Sequence, residues 1–203
     1  MNGILDLLAS NLGGSQMDQL ARTIGADPRK TQAAVGAALP ALLTALNRNT
    51  NSADGAQRLN RALEQDHDGS LLDNLGGLLG GGLGGKQVDG GGILGHVLGG
   101  QRRQVEEGVA QASGLDMGQV ARLLPLLAPI VMAALGRQKR QAGLDGAGLS
   151  GVLGQEAARA RQAAPKGALG ALSGFLDRDG DGSIQDDLAG QVGRAALGKL
   201  FGR

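Results

Sequence analysis

Three observations predict an all-α fold. Apolar residues recur at helical spacing in several segments, and these segments are preceded by capping residues and followed by glycines. No stretch alternates apolar and polar residues over the length of a strand. Glycine supplies 38 of the 203 residues, more than twice the usual share of about 7%, and it interrupts the apolar segments at intervals. The sequence therefore predicts helices separated by glycine-rich turns.

The chain opens with two short predicted helices. Residues 4–12 form an apolar segment that ends at Gly13. A second helical segment begins near Ser15 and ends at Gly25, because glycine readily adopts the left-handed conformation that follows many helices.

A longer third helix is predicted to follow. Asp27 precedes it as the N-cap, and Pro28 occupies the first helical position, where its missing N–H removes no hydrogen bond. The segment continues to about Arg48 and is apolar on nearly all sides. Such a helix is typical of the centre of a bundle.

The sequence contains an apparent internal duplication. Residues 3–46 align without a gap on residues 92–135, and residues 63–75 align on residues 176–188 after a 24-residue insertion. The matched pairs include Gly25 with Gly114, Asp27 with Asp116, and Pro40 with Pro129. We therefore expect two copies of one helical module.

The duplication predicts the domain organisation. Residues 1–75 form the first helical module, residues 76–91 a glycine-rich flexible linker, and residues 92–203 the second module. The second module carries a basic insertion at about 136–172, in which a short helix is predicted over 150–162.

Two segments of the first half resemble a known family. The segment IGADPRKTQAAVGAALPALLTAL, followed later by DHDGSLLDNLGGLLGG, resembles the bacterial YidB-like family, a group of unknown function. The resemblance covers most of residues 1–80 and recurs in weaker form towards the C-terminus. It implies a multihelical bundle and no particular activity.

The stretch LDRDGDGSIQDDL, residues 176–188, is similar to a calcium-binding EF-hand loop. That loop places oxygen ligands at alternate positions, a glycine at position 6 and a bidentate glutamate at position 12. Here position 12 is Leu188, so the bidentate ligand is missing. Weak or accessory calcium binding would use Asp177, Asp179, Asp181, Ser183 and Gln185.

Helix capping is the alternative interpretation of this turn, and we favour it. Ser183 with Asp186, and Ser70 with Asp73 in the first copy, have the spacing of a capping box. Capping explains the D-G-S core that both copies share. It does not explain the earlier acidic residue in each copy, Asp177 in the second and Glu64 in the first. Calcium therefore stays open as a cofactor.

Nucleic-acid binding is the alternative function. Residues 21–25 have the spacing of a helix-turn-helix corner, and Arg29 and Lys30 follow it. The same spacing serves any tight helix corner, and a net charge of +1 argues against a strongly electrostatic partner. The basic insertion would supply further phosphate contacts through Arg137, Lys139, Arg140, Arg159, Arg161 and Lys166.

The sequence favours interaction over catalysis. It has no cysteine and no P-loop, nucleophile-elbow or zinc-protease motif, and neither His67 nor His96 stands in a catalytic pattern. Its start lacks the features of a signal peptide, and the strongly apolar run 123–135 is too short to span a bilayer, so we expect a cytoplasmic protein. Leu/Gly stretches such as LLGGGLGG and GVLG suggest self-association or docking to an unknown protein partner.

Overall fold

The computed structural model describes residues 3–80 and 89–176, and these residues are helical throughout, without a strand. The all-α prediction is confirmed. Eleven α-helices and two 3₁₀ helices lie in these ranges. The α-helices are α1 (Ile4–Asn11), α2 (Ser15–Ile24), α3 (Pro28–Asn49), α4 (Ala53–Gln65), α5 (Leu75–Leu79), α6 (Gly90–Leu98), α7 (Arg102–Ser113), α8 (Met117–Ala142), α9 (Gly146–Ala163), α10 (Lys166–Ala171) and α11 (Ser173–Leu176). The 3₁₀ helices are Ser70–Asn74 and Gly99–Gln101.

The two longest helices, α3 and α8, form the centre of the fold and begin with the predicted caps. The Asp27 carboxylate accepts hydrogen bonds from the N–H groups of Arg29 and Lys30. Asp116 accepts one from Gln119, whose side chain accepts the Asp116 N–H in return. Both helices are buried along most of their length, because they are apolar on nearly all sides.

Two similar corners lead into α3 and α8. Gly25 ends α2 and Gly114 ends α7, each in the left-handed conformation with φ 71°. The corners are also joined to each other, since Gln119 Nε2 donates to the Gly25 carbonyl at 2.7 Å and Arg122 Nη1 donates to the Ile24 carbonyl at 3.1 Å. The α2–α3 corner is thus bound to the start of α8.

Helices from the two halves of the chain share one hydrophobic core. α3 packs against α7 and α9, while α8 packs against α1 and α6. The boundaries 1–75 and 92–203 stay a prediction. Within the described residues the helices of these two ranges interlock rather than form separate cores.

The ends of the predicted linker are helical. Gly76 and Gly77 lie in α5, and residues 90–92 form the first turn of α6. Residues 81–88 lie outside the described part of the chain.

The segment predicted to be an insertion contributes α9 to the core. This helix is longer than the predicted 150–162, and it packs along α3. Glu156 Oε2 accepts the Leu5 N–H at 2.9 Å, which joins α9 to the first turn of α1. The insertion is therefore part of the bundle.

α8 has the length and apolar composition of a membrane-spanning helix. Most of its apolar window is buried inside the fold, as in a central core helix.

Candidate functional site

An open cleft of about 830 Å³ lies between α4 and α6, over the C-terminal half of α3 and the middle of α8. Three separated parts of the chain line it, residues 46–67, residues 89–97 and Met132, so no local motif could have located it. The lining residues are Leu46, Arg48, Asn49, Ser52, Gly55, Arg58, Leu59, Ala62, Asp66, His67, Asp89, Gly92, Ile93, His96, Val97 and Met132.

The floor of the cleft is apolar. Leu46, Leu59 and Met132 are buried there, and Ile93 and Val97 of α6 are half-buried along one wall. A smaller apolar cavity of about 10 Å³ lies among Leu42, Leu46, Ile93, Val97, Ala128, Val131 and Met132. The floor therefore offers aliphatic surface that water covers poorly.

Charged side chains surround this floor. The Arg48 guanidinium lies 5.0 Å from the centroid of the Phe175 ring, a cation–π contact. The Asp89 carboxylate caps α6 by accepting the Gly92 N–H at 2.9 Å. Arg58 is exposed on α4 and makes no hydrogen bond or ion pair within the described residues. Arg58 thus lines the cleft as a cation without an anionic partner among the described residues.

The walls of the cleft are fixed to each other at one end. Asn49 Nδ2 donates to the carbonyls of His96 and Val97, both at 3.2 Å. This contact joins the end of α3 to the end of α6. His96 itself is exposed on α6.

His67 is the buried polar side chain of the cleft. Only 7% of the residue is exposed, and its Nδ1 has no hydrogen-bond partner. Burial lowers the pKa of His67, and the neighbouring Asp66 acts weakly in the opposite direction. The imidazole is therefore neutral near pH 7. Its backbone carbonyl packs directly against Gly136 of α8, where a larger side chain has no room.

Three ion pairs bind residues 64–73, which we call the first acidic turn, to the C-terminal end of α8. Their partners are Lys139 Nζ with Glu64 at 2.7 Å, Arg137 Nη2 with Asp73 at 2.6 Å, and Arg140 Nη1 with Asp68 at 3.3 Å. Arg137 also donates to the Gly69 carbonyl at 2.9 Å. The cations of this part of the insertion are thus neutralised by the chain's own carboxylates.

Contacts in this region lower the pKa values of two carboxylates, Glu64 and Asp68. The hydrogen bond from Lys139 and its positive charge lower the pKa of Glu64. Hydrogen bonds from the Ser70 hydroxyl and N–H lower the pKa of Asp68.

The predicted capping box of the first turn is wrong. Gly69, at φ 92°, is the N-cap of the 3₁₀ helix, and Ser70 is already its first residue. Ser70 donates its hydroxyl to Asp68 at 2.7 Å, while Asp73 turns to Arg137. A cation on a neighbouring helix therefore takes the carboxylate that local capping would have used.

The predicted calcium ligands cannot be compared with the structure. Asp177, Asp179, Asp181, Ser183 and Gln185 all lie outside the described residues. Within residues 3–80 and 89–176, no three His, Cys, Asp or Glu side chains come together as a metal site would require.

The other predicted contact residues are dispersed. Arg29 and Lys30 are exposed in the first turn of α3. Arg159 pairs with Glu156 at 2.9 Å, in addition to the three ion pairs at the end of α8. Of the leucines in the stretches proposed for self-association, Leu78, Leu79 and Leu153 are buried, so these three side chains do not form an exposed patch; self-association itself stays a prediction.

A protein-family model matches the chain. The model described as "Bacterial protein of unknown function (DUF937)" matches residues 6–138, more than half of the sequence. The chain belongs to the DUF937 family. The resemblance to an uncharacterised bacterial family is confirmed, although the match does not carry the YidB-like name. The matched range runs from α1 through most of α8, and it includes every residue of the cleft lining. No curated protein and no solved structure gives a significant match.

Proposed function

We propose that this DUF937 protein is a non-enzymatic binding module and that the α4–α6 cleft is its binding site. The observation that carries the proposal is the combination of an apolar floor with a charged, hydrogen-bonding surround in one cavity of about 830 Å³. Binding sites for small ligands and side chains are concave, mostly apolar and supplied with a few polar groups.

The polar side chains around the apolar floor favour binding over catalysis. Asp89 is committed to capping α6, and Arg48 contacts the Phe175 ring. The neutral His67 would need a nucleophile or a second acid within hydrogen-bond reach to act in catalysis, and its Nδ1 has no such neighbour among the described residues. The cleft can exclude water from an apolar group, which is what binding requires.

The cleft is also the most evident place for a partner within the described surface. Met117 is the one large hydrophobic side chain there that is strongly exposed, at 41%. Partners that bind through apolar contacts need a contiguous patch rather than one side chain. The partly buried Ile93 and Val97 provide such a patch at the cleft.

Nucleic-acid binding remains the second candidate, based on the exposed Arg29 and Lys30. Phosphate binding depends on cations that are free to replace counterions. Arg137, Lys139 and Arg140 are already paired with carboxylates. We therefore rank this candidate below docking at the cleft. A steep loss of affinity for duplex DNA between low and moderate salt would support it.

The internal duplication is part of the proposal. α3 and α8 begin 89 residues apart, at Pro28 and Met117, which is the offset of the first sequence alignment. α4 and α10 begin 113 residues apart, at Ala53 and Lys166, which is the offset of the second alignment. The shared caps and left-handed glycines of the two corners support the same origin. We infer that α9 arose as an insertion between the two segments of the second copy.

Single cysteines test the binding site, because the chain has no cysteine of its own. Ile93→Cys and Val97→Cys place a thiol in the cleft, and Met117→Cys places one in an exposed position on α8. Met117 precedes Met132 by fifteen residues, roughly 22 Å along the helix. Each variant is labelled on its thiol with benzophenone-maleimide and irradiated in an extract of the source bacterium, because this cross-linker needs a cysteine on the variant alone.

We expect one cross-linked partner from both cleft positions and none from the control. A product of twice the chain mass would identify the partner as a second copy. The purified partner should then bind Ile93→Asp at least tenfold more weakly than it binds the wild type, since a buried charge replaces an apolar contact. Equal cross-linking from all three positions, or equal affinity for Ile93→Asp, would refute docking at the cleft.

A further inference from the structure

We propose that the cleft binds an alkyl monocarboxylate, with the aliphatic chain on the floor and the carboxylate at Arg58. This inference rests on the proposed function, since it names the chemistry of the group that the cleft receives. The cavity volume of about 830 Å³ lies within the range of roughly 300–1,000 Å³ that is usual for small-ligand sites.

The floor fits an aliphatic chain. Leu46, Leu59 and Met132 form its base, and Ile93 and Val97 form a wall of branched side chains. No Phe, Tyr or Trp side chain lines the cleft among the described residues, and the His67 ring is buried, so the cleft offers a planar ligand little surface for stacking. A flexible chain can follow the floor and displace poorly bound water from it.

The positive charge of Arg58 indicates that the head group of the ligand is negatively charged. Its guanidinium is exposed beside the apolar Leu59 and is not paired within the described residues. Asp89 is near the same cavity, but its carboxylate already accepts the Gly92 N–H. Asp66 follows Arg58 by eight residues, roughly 12 Å along the helix. At that distance its repulsion of a carboxylate at Arg58 is largely screened at ordinary ionic strength.

The end of the cleft at His67 limits the number of carboxylates that the ligand can carry. His67 lies there with its ring buried and neutral. A neutral imidazole offers no cation to a second anionic group, and the nearby Asp66 repels one. Arg48, the other cation of the lining, contacts the Phe175 ring, so the site fits one carboxylate and an apolar tail rather than a dicarboxylate.

Three probes with the same ten-carbon chain separate the contributions of head and tail. They are decanoate, decylamine in its ammonium form and decanol, the two ions used below their micelle concentrations and decanol below its solubility limit. Binding is followed by NMR of ¹³C-labelled methionine methyl groups, because the chain has only four methionines. Met132 lines the cleft and reports on occupancy, while Met117 lies outside it and serves as an internal control.

We expect decanoate to shift the Met132 signal at the lowest concentration and to leave the Met117 signal in place. Arg58→Glu should weaken decanoate binding roughly three- to tenfold, since it replaces an exposed attraction by a repulsion. Arg61→Glu makes the same charge change on the exposed surface of the same helix, outside the cleft lining, and should have little effect.

Each other outcome contradicts the proposal in its own way. Equal affinity for all three probes would mean that the head group is not recognised. Tighter binding of decylamine would assign the head to the aspartates. Equal effects of Arg58→Glu and Arg61→Glu would place the carboxylate away from Arg58. If no probe moves the Met132 signal while the cysteine cross-links still form at Ile93 and Val97, the alkyl carboxylate is wrong and the binding site stands.

Discussion

Glu156 Oε2 accepts a hydrogen bond from the backbone N–H of Leu5 at 2.9 Å, across 151 residues of sequence. The Glu156 side chain is almost fully buried, and its Oε1 pairs with Arg159 at 2.9 Å. A carboxylate in this position satisfies a free donor at the start of α1 and lies at the positive end of the helix dipole. Gly3, the N-cap of α1, has no side chain to accept this N–H, so α9 supplies the hydrogen bond from a distant segment, in addition to the local one from the Gly3 N–H to Asp6.

Glu156→Gln should destabilise the fold by roughly 1–2 kcal/mol, because it keeps the shape of the side chain but removes its charge. Glu156→Ala should cost more, since it leaves the Leu5 N–H unsatisfied and Arg159 without its partner. Urea unfolding followed by circular dichroism measures both changes. Unchanged stability of both variants would show that the contact contributes nothing to the fold.

Gly136 and Gly151 give opposite predictions for the same substitution. A Cβ at Gly136 would collide with the His67 carbonyl, whereas a Cβ at Gly151 would meet nothing within 4 Å. Gly136→Ala should therefore destabilise the protein by roughly 1–3 kcal/mol through overpacking. Gly151→Ala should stabilise it by about 0.5–1 kcal/mol, because alanine favours an exposed helix interior. Thermal unfolding of both variants tests the prediction, and a stable Gly136→Ala would show that the acidic turn is not held closely against α8.

Local sequence signals predicted the helices and the start of the two longest ones well, whereas the capping box predicted at Ser70 was wrong. Asp27, Asp116, Gly25 and Gly114 do what their positions suggested, because capping depends on residues only a few positions apart. The helix in the insertion was also predicted, though not its full length.

Contacts between distant segments could not be predicted in the same way. Arg137, Lys139 and Arg140 were candidate contacts for an acidic partner, but they bind the carboxylates of Asp73, Glu64 and Asp68, which lie 64, 75 and 72 residues earlier in the chain. Their charge was visible in the sequence, whereas their partners depend on how the acidic turn packs against α8. The cleft was missed for the same reason, since α3, α4, α6 and α8 each supply part of its lining.

Calcium binding at the second acidic turn is testable although the turn lies outside the described residues. A ligand at about 100 times its dissociation constant stabilises a protein by about 2.7 kcal/mol. In a chain of this size that corresponds to roughly 5–11 °C in the melting temperature. If Asp177, Asp179 and Asp181 bind calcium, the ion should raise Tm by that amount relative to chelator. The double variant Asp179→Ala/Asp181→Ala should lose the shift, and an unshifted wild type would leave helix capping as the role of the turn.

Stability should fall in two steps as the pH is lowered. Burial lowers the pKa of His67 in the folded state, so the unfolded chain binds its proton more readily. The resulting loss of stability begins as the pH falls through the ordinary histidine value of about 6.5 and ends below the folded pKa. The lowered pKa values of Glu64 and Asp68 act with the same sign. Their contribution is complete above about pH 4.5 and is lost as the pH falls through their folded values.

The variant His67→Asn separates the two steps. It removes the titrating ring and should abolish the slope of unfolding free energy between about pH 7 and pH 5, while the acid step below about pH 4.5 persists. Urea titrations at a series of pH values, on the wild type and the variant, measure both slopes. The acid step should shrink with added salt, because Glu64 and Asp68 are largely exposed and their pairing with Lys139 and Arg140 is screened. A first slope that survives in His67→Asn would mean that another group, and not His67, causes it.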